Sequence, residues 1–127
     1  LRNTSVGGNG AVMAIYADRQ NSVYGPILVY LQKQSDGSQT LTLSGRTSDT
    51  VTQSLFSRTG LSSGFVRVRL TVVPASDLVN LTINVEDQGT FNYPRYAPTS
   101  TNDSYLTVTT DTSSSEFDYV ELRSGIN

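Results

Sequence analysis

The chain has 127 residues, a formal net charge of −2 and neither Cys nor His, and this length is typical of one domain that buries a core without disulfides. The absence of Cys and His excludes a disulfide framework, thiolate or imidazole metal ligands, and Ser-His-Asp or Cys-His catalysis. Eight of the nine basic residues are Arg, Lys33 being the exception, and because they form no run or stripe we expect no nucleic-acid binding.

The sequence also sets expectations for the chain as a whole. No apolar run approaches the ~18 residues of a membrane span, so we expect no membrane insertion. The chain opens at Leu1 without a basic segment followed by an apolar stretch, which argues against a signal peptide. We predict that residues 1–127 form a single domain and that this domain is the C-terminal piece of a longer polypeptide.

Apolar residues recur at every second position along much of the chain, which is the period of a half-buried strand. Clusters of Gly, Asn, Asp and Ser separate these runs, as expected for turns. The predicted strands cover residues 11–17, 27–32, 40–44, 51–56, 65–73, 78–86, 105–109 and 116–123. About eight short strands separated by turns predict an all-β fold, a two-sheet antiparallel β-sandwich that is jelly-roll-like.

The predicted strand over residues 27–32 is apolar on both faces. Ile27, Val29 and Leu31 share one face, and Leu28 and Tyr30 share the other. A small sandwich covers one face of such a strand with its own second sheet, so the strand requires a second cover. We predict that a homodimer partner supplies it, through the candidate interface residues Ile27, Val29, Leu31 and Tyr30.

Residues 65–73 and 78–86 predict a hairpin, because two alternating runs flank a turn segment at residues 74–77. Arg67 and Arg69 lie two apart on the polar face of the first strand and therefore side by side. They are candidates for binding a carboxylate or sulfate of a receptor or glycan. The alternative, which we favour, is an ordinary pair with an acidic residue of the neighbouring strand.

Two connections are longer than strand geometry requires, residues 18–24 and 89–103, and long loops on a β scaffold tend to carry function. The second contains three aromatic residues and one arginine that are candidate ligand-binding residues: Phe91, Tyr93, Arg95 and Tyr96. Aromatic residues and Arg are enriched in binding hot spots, and Tyr rings offer flat faces for sugars. The alternative is that the rings pack beneath their own loop and close one end of the sandwich.

Carboxylates are the remaining candidates for chemistry. Glu116 and Asp118 share a strand face, but nothing around them indicates the apolar site and fixed separation that a glycosidase requires. Calcium binds through oxygen ligands alone, and Asp36, Glu86 and Asp87 are candidates that match no EF-hand spacing. Turn formation is the favoured explanation for these acidic residues. We therefore expect no catalytic residue, no metal site and no cofactor.

The chain has Ser/Thr-rich strands without Cys or His, a start at Leu1, and a final predicted strand over residues 116–123 with a short tail ending at Asn127. In this overall character, over most of its length, it resembles the protruding domain of small non-enveloped RNA virus coat proteins. The resemblance is to the nodavirus and tombusvirus kind, and most of all to a crustacean nodavirus.

The resemblance implies a β-sandwich that pairs as a homodimer, forms spikes on the virion surface and contacts the host cell first. The expected function is therefore that of a structural and recognition domain of a capsid protein, attaching to a host receptor or glycan. The shell domain and the basic RNA-binding arm would lie upstream of Leu1. The alternative is a carbohydrate-binding module of a secreted glycoside-active enzyme, against which the absence of Trp counts.

Overall fold

A computed structural model describes residues 2–3, 10–17, 27–48, 51–73, 76–94, 105–111 and 115–116, with side chains for residues 27–48, 51–73 and 76–94. Within these ranges the regular structure is β-strand, without an α-helix, and no helix there has the length and apolarity to cross a membrane. In chain order the strands are β1 (Arg2–Asn3), β2 (Gly10–Ala17), β3 (Ile27–Lys33), β4 (Gln39–Arg46), β5 (Thr52–Leu61), β6 (Val68–Val73), β7 (Leu78–Ile83), β8 (Glu86–Asn92), β9 (Tyr105–Asp111) and β10 (Ser115–Glu116).

The strands form two main antiparallel sheets. One has five strands in the order β5-β4-β3-β2-β9, and the other has three in the order β6-β7-β8. Strands β1 and β10 form a separate two-stranded ribbon that lies close to β2 and β3. Most neighbours in the sheets are also neighbours in sequence, so short turns fix most of the pairings. The exceptions are the β1–β10 ribbon and the pairing of β2 with the distant β9.

Strand β3 lies at the centre of the five-stranded sheet, in agreement with its nearly continuous apolar sequence. Its register with β4 places Val29 opposite Leu43 and Leu31 opposite Leu41. Such cross-strand apolar pairs stabilise a sheet while their side chains are removed from water. The most apolar strand therefore has a partner on each side.

A single cluster of buried apolar side chains connects the two main sheets. On the five-stranded sheet its members include Ile27, Val29 and Leu43, which have no exposed surface. On β7, in the middle of the three-stranded sheet, Val79 and Leu81 are equally buried. Two antiparallel sheets that share one core give the domain a β-sandwich-like, all-β architecture.

The five-stranded sheet is also covered on its opposite face near β3. Leu28 has no exposed surface, yet it is not part of the core cluster, because it points away from Ile27 and Val29. Ser44 lies opposite Leu28 on β4, and Arg46 lies two residues further on the same face. Each is only 5% exposed. The predicted apolarity of both faces of this strand thus corresponds to burial of both faces within the chain.

The predicted hairpin is confirmed. Strands β6 and β7 pair in unbroken antiparallel register, from Val68 opposite Ile83 to Val73 opposite Leu78. The burial pattern along β7 alternates between buried and half-buried residues, as the period of two predicts. The sequence pattern therefore identified the pairing of the two strands, although both are shorter than predicted, since β6 begins at Val68 and β7 ends at Ile83.

One strand differs from the prediction. Residues 86–92 form β8, whereas the sequence predicts that residue 86 ends the preceding strand, that a turn follows at residues 87–89 and that a long loop begins at Gly89. The turn lies earlier, at Asn84-Val85, and β8 then pairs with β7. The polar start of β8 resembles a turn because the strand contains a bulge, where Gly89 adopts a φ of +121° and the register shifts by one residue.

Candidate recognition surface at strand β6

Strand β6 forms one edge of the three-stranded sheet. Within the described part of the chain, β7 is the strand that pairs with it, and its other edge faces outward. The side chains of β6 alternate between half-buried and exposed along its whole length. Arg69 and Thr71 are on the exposed face, and Val68, Leu70 and Val72 are on the half-buried face. The strand thus presents both an open backbone edge and a mixed side-chain surface.

Both arginines that the sequence singled out lie at this strand. Arg69 is an exposed residue within β6 and pairs across the sheet with Thr82, while Arg67 is exposed directly before the strand. Among the described residues, neither guanidinium lies within ion-pair distance of a carboxylate. The ion pair found there joins Arg58 to Glu86 instead, with 3.8 Å between Nη1 and Oε2. The favoured intramolecular pairing of Arg67 and Arg69 is therefore not seen in the described residues.

Arg67 is held in place through its backbone. Its N–H donates to Oδ1 of Asn84 at 2.9 Å, and its carbonyl accepts a hydrogen bond from the Asn84 N–H, also at 2.9 Å. Asn84 lies in the two-residue turn between β7 and β8 and has a φ of +48°. Asn tolerates this left-handed conformation, and its short side chain is well suited to bridging backbone groups. The two bonds fix the start of β6 against the tip of the next hairpin.

The second residue of that turn, Val85, combines strain with exposure. Its φ of +67° is unfavourable for a β-branched residue, because the branched side chain crowds the backbone in the left-handed region. Its side chain is also 77% exposed, so burial does not compensate the strain. A strained position whose side chain contacts solvent is a candidate for function.

Phe65 adds a second exposed apolar side chain to this part of the surface. It is 45% exposed, although the adjacent Val66 is fully buried in the core. Phe65 lies two residues before Arg67, and Val85 follows Asn84, so the paired hydrogen bonds between Arg67 and Asn84 bring the two chain segments together near the start of β6. We call this set of residues, Phe65, Arg67, Arg69, Asn84 and Val85, the β6 surface. It joins apolar contact area to two guanidinium groups that have no carboxylate within ion-pair distance among the described residues.

Two of the three candidate ligand-binding aromatic residues have a structural position. Tyr93 is only 8% exposed and belongs to the core cluster, and its N–H donates to the carbonyl of Asp77 at 3.0 Å. Phe91 lies in β8 and packs against Phe56 of β5, with 5.4 Å between ring centroids. For these two rings the packing alternative holds. Arg95 and Tyr96 lie outside the described residues.

The β2–β3 and β8–β9 connections, which contain the predicted loop 18–24 and the part of the predicted loop 89–103 that follows β8, leave from the same end of the domain. Ala17, at the end of β2, is paired with Tyr105 at the start of β9. Ile27, at the start of β3, is paired with Gly45, and Pro94 lies directly against Gly45. The strands therefore place the start and end points of residues 18–26 and 95–104 together, although those residues are not described.

The structure corrects the proposed dimer interface for three of its four residues. Ile27, Val29 and Leu31 have no exposed surface, because the second sheet of the same chain covers them. They therefore offer nothing for a partner chain to contact. Tyr30 is half-buried on the opposite face of β3.

The candidate calcium ligands act in local turns and bulges. Asp36 accepts hydrogen bonds from the Ser38 hydroxyl at 2.7 Å and the Ser38 N–H at 2.9 Å, which lower the pKa of its carboxyl below the usual value. Asp87 accepts from the Gly89 N–H and the Asn80 amide, with the same effect on its pKa. Glu86 pairs with Arg58. Within the described ranges, no three acidic side chains are grouped to hold a metal ion.

Of the two carboxylates considered for catalysis, the structure describes the backbone of one. Glu116 is in β10, where it is paired with Arg2, and Asp118 is outside the described residues. Their mutual geometry is therefore not part of the described structure.

Two buried polar residues were not anticipated from the sequence. Gln39 has no exposed surface, and its amide donates to the carbonyls of Ser62 and Gly64 at 2.7 and 2.9 Å. Arg46 is 5% exposed on the face of β4 that Leu28 shares. The only sequence signal was position, since both fall at the ends of a strand whose interior alternates regularly.

Val85 was also missed as a functional candidate. The sequence placed it on the apolar face of its strand with Val79, Leu81 and Ile83, whereas the turn at Asn84-Val85 brings it to the surface. Comparison of the chain with models of protein families, with curated proteins and with solved structures finds no match, so the role of the β6 surface is argued from its own chemistry.

Proposed function

We propose that this chain is a non-catalytic recognition and assembly domain, and that it serves as the protruding domain of a small RNA virus coat protein. In this proposal the domain is a jelly-roll-like sandwich that forms homodimeric spikes on the virion surface and attaches to the host cell. The overall sequence character described above supports the viral part of the proposal. The chemistry of the described surface supports the recognition part.

The observation that carries the proposal is Val85. A β-branched residue at a φ of +67° destabilises the fold by roughly 1 kcal/mol or more. Because the Val85 side chain is 77% exposed, its burial within the chain does not offset this strain. A Gly at this position would form the Asn-Gly turn that two-residue hairpins favour. The presence of an exposed, strained valine at this turn is explained if its side chain contacts a partner.

The surroundings of Val85 fit such a contact. Phe65 supplies aromatic area and Arg67 supplies a charged group, two residue types enriched in binding hot spots. The two hydrogen bonds between Arg67 and Asn84 join the backbone segments that carry these side chains. A preorganised surface loses less conformational freedom on binding.

The carbohydrate-binding alternative gains no support from the described rings. Tyr93 has almost no accessible face, and Phe91 is engaged with Phe56. Among the described aromatic side chains, Phe65 is the one that is exposed, at 45%. We therefore favour recognition of a protein on the cell surface.

The attachment proposal is tested by cell binding. Fluorescently labelled domain is incubated with primary crustacean cells, the host type that the resemblance implies, and bound protein is measured by flow cytometry. We expect Val85→Gly to reduce binding about tenfold or more, as loss of a hot-spot side chain does. The same substitution should leave the free energy of unfolding unchanged or raise it by about 1 kcal/mol, because it relieves backbone strain.

The matched control is Val51→Gly, which removes an exposed valine, 53% exposed, from the turn between β4 and β5. It should leave cell binding unchanged. Equal binding by the parent domain and Val85→Gly would contradict the attachment role of this residue. Sedimentation that shows only monomer at high protein concentration would contradict the homodimeric spike.

A further inference from the structure

The sheets of this domain differ in how their open edges are protected. An unprotected edge strand is a template for another strand, and natural proteins block it with bulges, charges or irregular geometry. The edge strand β5 has two register shifts against β4 and a positive φ at Gly60. The edge strand β8 has a register shift next to Gly89 and carries Glu86 and Asp87 at its start. Both edges are therefore interrupted.

Strand β6 lacks these interruptions. All six of its residues pair with β7 in continuous register, and it contains neither proline nor glycine nor a residue with positive φ. Its outward N–H and C=O groups therefore follow the regular spacing that an added strand requires. Among the edges whose side chains are described, β6 is the one best suited to accept another strand.

The side chains of β6 are also incompletely covered. Val68, Leu70 and Val72 are half-buried, whereas their neighbours on the same face of β7, including Val79 and Leu81, have no exposed surface. The apolar face of the sheet thus continues to its margin and ends there with accessible area. A fourth strand carrying apolar residues at alternate positions would extend this face.

The two arginines at this edge determine which charge a partner strand should carry. Arg67 and Arg69 are exposed, side by side, and without a carboxylate within ion-pair distance among the described residues. Pairing of β6 with β6 of a second copy would place four arginines on one sheet face, where like charges repel. An acidic strand would instead form charge-assisted hydrogen bonds with both guanidinium groups.

We propose that β6 accepts an extended segment of a partner protein as a fourth strand of its sheet, with alternating apolar and acidic residues. Apolar side chains of the segment extend the face formed by Val68, Leu70 and Val72. Its acidic side chains lie on the opposite face, against Arg67 and Arg69. This inference deepens the proposed recognition function by naming the chemistry of its partner, and to that extent rests on it.

A synthetic peptide of alternating valine and glutamate, labelled with fluorescein, serves as the probe, and its binding is measured by fluorescence anisotropy. We expect saturable binding that weakens as salt is raised, and about tenfold or greater loss of affinity for Arg69→Glu. The matched control is Arg58→Glu, which makes the same charge change on the edge strand β5 and should have a much smaller effect. A peptide with lysine in place of glutamate should bind Arg69→Glu better than the parent domain.

Two further peptides test strand addition against simple charge attraction. One carries N-methyl groups on the backbone nitrogens of its odd residues and the other on those of its even residues. Only one set of N–H groups of an added strand faces β6, so one methylated peptide should lose binding and the other should retain it. Charge attraction alone would leave the two peptides equal.

Several results would overturn the proposal. These are no peptide binding at millimolar concentration, equal effects of Arg69→Glu and Arg58→Glu, and equal binding of the two methylated peptides. Self-association without peptide that Arg69→Glu abolishes would also overturn it, in favour of a second copy as the occupant. Cell binding that depends on Val85 but not on Arg69 would leave the proposed attachment function intact while removing this inference.

Discussion

Pro94 lies so close to Gly45 that a Cβ atom placed on the glycine would overlap the proline Cδ. Gly45 is a buried residue of β4, and Pro94 follows the buried Tyr93 directly after β8. The contact therefore joins the five-stranded sheet to the point where the chain leaves the three-stranded sheet. Here the need for glycine comes from packing, because its φ is not in the left-handed region.

We expect Gly45→Ala to lower the free energy of unfolding by about 1–3 kcal/mol, since the added methyl group forces the chain at Pro94 to move. The measurement is urea unfolding. Gly64→Ala is the control, because a Cβ there meets only the Ser62 hydroxyl at 3.8 Å and the φ of Gly64 is ordinary. Equal stability of the two variants would show that the contact at Pro94 adjusts without cost.

The buried amide of Gln39 gives a second prediction. Gln39→Met removes both hydrogen bonds to the β5–β6 connection and should lower the free energy of unfolding by about 1–3 kcal/mol. Gln39→Glu should be worse at neutral pH, because a buried carboxylate would face two carbonyl oxygens. Burial raises the pKa of such a carboxyl, so this variant should regain stability as the pH falls. Gln53→Met, at an exposed position of β5, should change stability little and serves as the control.

The carboxylates of Asp36 and Asp87 predict how the domain responds to acid. Hydrogen bonds hold their folded-state pKa values below the usual 3.8, so both groups stabilise the fold above that pH. Their contribution is lost as the pH falls below 3.8 and through the lower folded-state values. Unfolding measured from about pH 5 to about pH 2 should show a smaller loss of stability for Asp36→Asn/Asp87→Asn than for the parent domain. An identical loss in both proteins would contradict the role of these two carboxylates.

The ring contact between Phe56 and Phe91 predicts coupling between the edges of the two sheets. Each single substitution to Leu should destabilise the domain, and the double variant should be less destabilised than the sum of the two by about 0.5–1.5 kcal/mol. The measurement is a double-mutant cycle from denaturant unfolding. Strictly additive effects would mean that the rings contribute only through burial of their own area.

The sequence was most informative where one face of a strand is buried. In β6 and β7 the alternation of side chains follows directly from burial of one face, so the existence and pairing of the two strands are predictable, although their outer ends are not. Strand β8 was not, because its bulge requires a glycine and polar residues that also mark turns. Without β8, the sequence predicts a loop at Phe91, which the structure places in that strand.

The candidate site was predictable only in part. Arg67 and Arg69 are predictable as a pair because residues two apart on a strand share a face, and the alternation of the sequence shows that this face is polar. Val85 continues that same period as though it were a core residue, and only the position of the turn shows that it is exposed. The burial of Tyr93 depends on how the end of β8 meets β4, which no local pattern records.

The pairing of β2 with β9 has a consequence for how the domain forms. Ala14 pairs with Thr107, whereas the β3–β4 and β7–β8 pairs join residues separated by short turns. Closing so long a stretch of chain carries an entropic cost that must be met before its contacts stabilise anything. The local hairpins should therefore assemble early and the β2–β9 ladder late, with folding on the millisecond-to-second scale of domains with high contact order.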